Sequence, residues 1–512
     1  MSQETKQEFG KWRKFFWPVH NYELKKLLPM FFLFFFISFN YTILRDTKDT
    51  LVVTASGAET IPFLKFWGVV PGAILFMLVY AKLSNMLSKE KLFYATIAPF
   101  LVFFGLFAVF IYPNREMLQP TTTADWLQSI LPVGFSGLIS CYRDWTLSLF
   151  YILSELWGSV VLSLLFWGFA NDITRVGEAK RFYSLFGLGA NLALLVSGPA
   201  IIWVSRAQAG LETEAAWQLS LNYLMTMVLV AGASVVAIYW WMNRNVLTDP
   251  RFFDVTEEKK AKKAKTKMGI GESFKYLLSS KYVLGIAILV IAYGISINLV
   301  EVTWKNQLKL QYPTANAYSE FMGGFSFFTG LVTIFMMLFV GGNLIRRKGW
   351  GFAAMITPVV LLVTGVGFFA FVLFRDSSLV AGYIAYMGTS PLMLAVIFGA
   401  AQNIMSKSAK YSLFDPTKEM AYIPLDQEAK TKGKAAIDVV GARLGKSGGS
   451  LVQQGLLVLF GTISAITPYV AIILFVIIGA WIVAVRSLNR QFVALTGEKP
   501  ADKTKDPQPA AT

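Results

Sequence analysis

The chain has 512 residues, 55% of them hydrophobic, 15% aromatic and only 15% charged, with a formal net charge of +16. A chain so apolar is not a soluble domain, and its repeated runs of roughly 20 apolar residues are the signal of membrane-spanning helices. A single cysteine, Cys141, excludes a disulfide framework and a thiolate metal cluster, and the only histidine, His20, precedes the first span, which excludes an imidazole relay or a histidine metal site in the membrane.

In chain order, residues 1–26 contain Glu4, Glu8 and Glu23, are poor in serine, and resemble neither a signal peptide nor a transit peptide; they read as a cytoplasmic N-terminal segment. Twelve spans are then predicted, at about 27–47, 63–85, 92–112, 143–170, 182–205, 218–241, 281–304, 318–343, 350–374, 379–403, 434–461 and 466–486. Between the sixth and seventh lies a soluble stretch, 243–280, whose lysine run at 257–267 reads as a solvated linker. The expected organisation is therefore an N-terminal six-helix half (27–242), the basic linker (243–280), a C-terminal six-helix half (281–490) and a cytoplasmic tail (491–512).

The positive charge resolves into alternate loops, so it reports topology and not nucleic-acid binding. Lys89 and Lys91, Arg175, Lys180 and Arg181, the lysine run, Arg346, Arg347 and Lys348, a loop spanning Lys407 to Lys434, and Arg486 and Arg490 all fall on one side. The positive-inside rule makes that side, and both termini, cytoplasmic, as in a multi-pass protein of a bacterial inner membrane.

Within this apolar frame a few charges stand out, because an ionised residue at the centre of a spanning helix costs about 2.5–3.5 kcal/mol on insertion scales and normally faces a bundle interior or a cavity. The first span leaves through Arg45-Asp46-Thr47-Lys48-Asp49; Arg45 and Lys48 share a helix face, either as a surface snorkelling cluster or as a basic grip on an anion. Glu155 is the only ionisable residue between Asp144 and Asp172, either a protonated buried carboxyl or a functional one. Glu301 and Lys305 are four apart, in the order that favours a structural ion pair. In the eleventh span, Gly441-Ala442-Arg443-Leu444-Gly445-Lys446-Ser447-Gly448-Gly449 superficially suggests a phosphate loop. That loop needs four residues between the first Gly and Gly-Lys-Ser, and here there are three. Close helix packing that lets Lys446 and Arg443 reach a cavity is the better reading, with Lys supplying a point charge for phosphate and Arg a bidentate fork.

Asn40-Tyr41-Thr42-Ile43 and Asn298-Leu299-Val300-Glu301 align at a constant offset, which suggests duplicated halves. Parallel halves with the site between them are the arrangement of major-facilitator-type carriers, and Lys48, Glu155, Glu301 and Lys446 fall on spans one, four, seven and eleven, beside such a cavity. Opposite charges spread over several spans suit a carrier that closes around its solute better than a channel, and no nucleophile–base pair suggests an enzyme.

The loop after the tenth span, Ser406-Lys407-Ser408-Ala409-Lys410-Tyr411-Ser412-Leu413-Phe414-Asp415-Pro416, continuing to Asp426, together with 432–438, the Gly441–Gly449 segment, residues 41–54, Ser154-Glu155-Leu156-Trp157-Gly158 and residues 300–306, resembles the ATP/ADP translocases of chlamydiae, rickettsiae and plant plastids. The resemblance implies an all-α, twelve-span membrane carrier of the major-facilitator type that exchanges external ATP for internal ADP. No cofactor is expected, a monomer is the expected functional unit, and inorganic phosphate is a candidate companion. It places the family's functional lysines and glutamates on Lys48, Glu155, Glu301 and Lys446; Arg45, Arg443 and Lys305 complete the candidate substrate-binding set. The alternative on the same scaffold is a broader nucleotide or NAD exchanger, or a nucleotide–proton symporter with Glu155 as the protonation site.

Overall fold

The computed structural model describes residues 19–207, 210–249, 252, 280–378, 382, 384, 386, 388–425, 433–434, 437 and 441–496. The lysine run at 257–267 and the C-terminal tail beyond 496 lie outside the described residues. Those residues are helical almost throughout: α1 (Leu24–Ser56), α2 (Thr60–Met86), α3 (Lys89–Ile111), α4 (Trp145–Ile173), α5 (Val176–Ala207), α6 (Thr213–Asn245), α7 (Lys281–Gln311), α8 (315–348), α9 (350–373), α10 (Pro391–Ala421), α11 (Ala442–Phe460) and α12 (Ile463–Thr496). Local signals set the starts: Ser88, Ser280, Thr314 and Ser390 each accept the amide N–H three residues on, filling one of the four orphan donors at a helix N-terminus.

Ten described helices are long and apolar enough to cross a membrane, against the twelve spans expected. The difference has two causes. Helices α8 and α9 are one 59-residue run, Ala315–Leu373, broken only at Gly349, whose φ of 78° is open to glycine at no steric cost. Helix α11, 19 residues long, carries Ser447, Ser450, Gln453 and Gln454 and falls short on apolarity. In the tenth span, expected at 379–403, most of 379–387 lies outside the described residues; a helix starts at Pro391, where the Ser390 cap and a proline in the first turn give a strong start signal. It then continues to Ala421 through a π-helical segment, Lys410–Phe414. Lys407, assigned to a loop on sequence, is therefore inside the bundle.

The two sets of helices meet chiefly where α5 crosses α8, and small residues make the approach possible. A Cβ on Gly198 would lie 2.6 Å from the Gly323 carbonyl oxygen and 2.8 Å from the Phe327 amide nitrogen, whereas one on Gly324 would meet nothing within 4 Å. Gly198→Ala is accordingly expected to destabilise the protein by about 1–3 kcal/mol, as overpacking does, and Gly324→Ala to be neutral. Thermal denaturation of the two purified variants checks this, and equal melting temperatures would refute the close crossing.

The bundle has a near face, where the chain enters, and a far face, where α1 ends. On the far face the connection from α3 to α4 forms three short helices, Arg115–Leu118, Thr121–Ile130 and Ser136–Arg143. This excursion sits over the seam: Gly134 abuts the backbone of Leu457 and Val458 at the end of α11, and Gly137 abuts the carbonyl of Glu59 before α2. Cys141 lies in it, its thiol 3.9 Å from the Thr60 carbonyl, and burial pushes its pKa up to about 12. At neutral pH the thiolate that maleimides attack is scarce. Labelling of the native protein is expected to be slow at pH 7 and to accelerate sharply on unfolding; rapid native labelling would show that the excursion lifts away from α2.

Candidate functional site

Site-forming side chains come from α1, α2, α4, α7, α8 and α10, and they meet at the seam. At its centre is α1, whose far half carries Arg45, Asp46, Lys48 and Asp49 on a helix buried on most sides. Lys48 Nζ lies 2.7 Å from Asp49 Oδ1 and 2.9 Å from Glu155 Oε1 on α4, and 3.9 Å from the centre of the buried Tyr151 ring. Asp49 in turn accepts Lys305 Nζ of α7 at 2.8 Å. Lys305 also reaches Glu301 at 3.0 Å, one helical turn back, and Glu301 takes Lys65 of α2 at 3.0 Å. Lys65 donates as well to Asn298 Oδ1, at 2.7 Å.

The result is one unbroken chain of alternating charge: Glu155, Lys48, Asp49, Lys305, Glu301, Lys65. It crosses the seam twice, through Asp49–Lys305 between α1 and α7 and through Glu301–Lys65 between α7 and α2. Its middle is dry and its ends are not. The side chains of Lys48, Asp49 and Lys305 are 1–2% exposed, whereas Glu155 is 30%, Glu301 19% and Lys65 18% exposed. Charges buried this deeply are tolerated because each cation has a carboxylate and each carboxylate a donor.

A second group adjoins it. Arg45 donates to Asp46 at 2.9 Å and to Ser326 Oγ of α8 at 2.7 Å, and the Ser326 hydroxyl also bonds to Asp46. Farther toward the far face, Trp67 donates to Gln454 Oε1 at 3.1 Å, and Gln454 donates to the Pro62 carbonyl at 2.9 Å, tying α2 to α11. The far half of the seam is thus fastened by polar contacts and by the α3–α4 excursion.

Of the residues singled out on sequence, Lys48, Glu155, Glu301, Lys305 and Arg45 converge here. Glu301 and Lys305 do form an ion pair, but as two links of the longer chain and not as an isolated surface pair. The side chains of Lys446 and Arg443 lie outside the described residues. Their helix, α11, is placed: Gly445 approaches the backbone of Gly294 on α7, and Gly449 packs on Asn298 and Ile295. The small residues of that motif serve close helix packing.

Asp49, Lys65, Lys407 and Ser326 were not among the sequence candidates. Lys65 had a usable signal, a lone charge in the apolar run from Ile61 to Tyr80. Asp49 read as a simple partner for the adjacent bases, and Lys407 was hidden by its basic neighbours.

An all-helical bundle with a buried charge seam between two helix sets defines a multi-pass membrane carrier of the major-facilitator type. Solved structures agree on the fold: a bacterial homologue of the iron transporter ferroportin in an inward-facing state (TM-score 0.55, 11% identity, covering 94% of this chain and 100% of that one) and a D-xylose–proton symporter (0.54, 11%, 93% and 100%).

The chain belongs to the TLC ATP/ADP transporter family, whose model matches residues 2–492. It is 63% identical to ADP,ATP carrier protein 1 of Chlamydia trachomatis (98% of this chain, 94% of the relative). It is 53% identical to the chloroplastic ADP,ATP carrier protein 1 of Arabidopsis thaliana (94% and 76%) and 46% identical to ADP,ATP carrier protein 1 of Rickettsia bellii (94% and 96%). The protein is a transporter, not an enzyme.

Proposed function

We propose that the protein is an ATP/ADP antiporter of a bacterial inner membrane, importing ATP in exchange for ADP as a monomer with both termini cytoplasmic. The near face is then cytoplasmic, and the fastened far face is a closed outer gate. Two six-helix halves, 27–242 and 281–490, rock about the seam, joined by the basic linker.

The observation that carries this reading is the alternating charge chain. In the empty carrier Lys48 and Lys305 are neutralised by Glu155, Asp49 and Glu301, so the site holds little net charge while it reorients. Phosphate oxygens are the ligand chemistry that competes with carboxylates for such lysines. An entering phosphate chain takes the lysines, frees the carboxylates and loosens the two seam-crossing links, coupling substrate binding to gate opening. The same reading gives Lys446 and Arg443, on the helix that packs against α7, a share in holding the phosphate chain. Family relatives that carry ADP and ATP support the nucleotide assignment.

The test is uptake of labelled ATP, ADP, GTP, UTP and NAD into proteoliposomes loaded with each in turn. Uptake of ATP and ADP only against internal ADP or ATP is the expected result. Rapid uptake of GTP, UTP or NAD would replace this reading with a broader exchanger, and uptake driven by a pH gradient would replace it with a proton symporter.

Exchange is also expected to respond to voltage. ATP carries about one more negative charge than ADP, so a one-for-one swap moves net charge worth roughly 2.3 kcal/mol per 100 mV. With valinomycin and potassium setting the potential, an inside-negative voltage is expected to slow inward ATP in phosphate-free vesicles. Internal phosphate that leaves with ADP would cancel the effect, and voltage-independent exchange without phosphate would sink simple antiport.

A further inference from the structure

Lys407 stands apart from the charges described so far. It lies on α10, half-buried. Among the described residues it makes no ion pair or hydrogen bond; its partner is the face of the Phe325 ring, 4.8 Å from Nζ to the ring centre. Phe325 precedes Ser326, the hydroxyl that holds Arg45 and Asp46. That contact sets Lys407 beside the Arg45–Asp46–Ser326 group, at the same seam. The described cluster then holds five cations (Arg45, Lys48, Lys65, Lys305 and Lys407) against four carboxylates (Asp46, Asp49, Glu155 and Glu301), and Lys407 is the cation without an acid.

Its position also has a counterpart in the other half. Glu155 stands three residues before the π-helical segment Gly158–Phe166 of α4, and Lys407 three residues before the π-helical segment Lys410–Phe414 of α10. Such wide turns are rare and occur frequently at functional sites. The two positions carry opposite charge. Glu155 is matched to Lys48, while among the described residues Lys407 is matched only to an aromatic face, a weak partner for an ammonium. An unpaired cation in a cluster otherwise neutral is the place an anion takes first.

We propose that Lys407 is a further substrate-binding residue, which holds the phosphate chain of the nucleotide from α10. This rests on the nucleotide reading above.

The test is equilibrium binding of ADP, tripolyphosphate and adenosine to the purified carrier and to Lys407→Gln, Lys407→Arg and Lys410→Gln. Lys410, on the same helix but paired with Asp415 at 2.9 Å, is the control. Lys407→Gln is expected to weaken ADP and tripolyphosphate by about tenfold or more, as loss of one charge-assisted contact does, and to leave adenosine unchanged. Lys407→Arg is expected to recover most of the affinity, and Lys410→Gln to bind as the unaltered protein does. Unchanged ADP affinity in Lys407→Gln, or equal losses for ADP and adenosine, overturns the proposal.

Should Lys407→Gln not survive purification, acetylation of the unaltered carrier decides the matter. Tripolyphosphate and ADP are expected to slow labelling of Lys407 relative to Lys410, and equal labelling with and without them overturns the assignment. Tripolyphosphate binding through Lys407 in a protein that ignores ADP would keep the anion site and discard the nucleotide reading.

Discussion

Asp49→Asn is expected to abolish exchange and to lower the melting temperature of a carrier that still inserts in the membrane. Asp49 is 1% exposed and accepts two ammonium groups, Lys48 at 2.7 Å and Lys305 at 2.8 Å. Asparagine preserves its shape but leaves two cations facing each other across the driest part of the seam. Removing one partner of a buried ion pair costs about 3–5 kcal/mol, because the charge left behind has neither water nor a counter-ion. Here Lys48 keeps Glu155 and Lys305 keeps Glu301, so the loss lies toward the lower end of that range. Adding Lys305→Gln removes one of the two facing cations and is expected to restore much of the stability without restoring exchange. The measurement is melting of the single and double variants beside ATP-for-ADP exchange. Full exchange with an unchanged melting temperature in Asp49→Asn would refute a chain that runs through Asp49.

The second large effect is expected at Glu301, and its sign differs between binding and turnover. Glu301 holds Lys305 and Lys65, both at 3.0 Å. A phosphate chain must displace it, so Glu301→Gln removes a competitor and is expected to tighten ADP binding. Each 1.4 kcal/mol released corresponds to about tenfold. The same change leaves Lys65 and Lys305 short of negative charge in the empty carrier, which must then reorient with unbalanced cations in the seam. A ligand shifts a conformational equilibrium only through its differential affinity for the two states, so tighter binding to one state slows the cycle. Exchange is therefore expected to fall and one-way efflux of ADP to fall further. Weaker ADP binding in Glu301→Gln would contradict the competitor role and make Glu301 a direct ligand contact.

Legibility from sequence varied with the kind of information each residue carries. The membrane class and most helices were readable because burial in lipid demands long apolar runs, whatever the rest of the chain does. Glu155 was readable for the complementary reason: a lone carboxylate in an apolar helix requires an explanation wherever the helix packs. Lys65 obeys the same rule and could have been found by it. Lys407 could not, because positive residues near a helix end look alike whether they face cytosol or seam; the Ser390–Pro391 start moves the whole of α10 along the chain and carries Lys407 inside. Asp49 was visible as a residue but not as a bridge. Its neighbour Lys48 explains it locally, and Lys305, 256 positions away, explains it only in space.

By itself the sequence determined the class, the alternation of basic loops, the small-residue stripes that allow close helix crossing and the identities of five seam charges. These are properties of single helices, set by the transfer of side chains and backbone from water to lipid. Only the tertiary structure decided which charges pair, that six of them form one chain across two sets of helices, that the far half of the seam is fastened, and that Lys407 has no acid among the described residues. The reason is that an ion pair depends on distances of about 3 Å between groups on different helices. No one-dimensional period encodes such a distance; it emerges when Gly198 meets Gly323, Gly294 meets Gly445, and the helices they join come to rest.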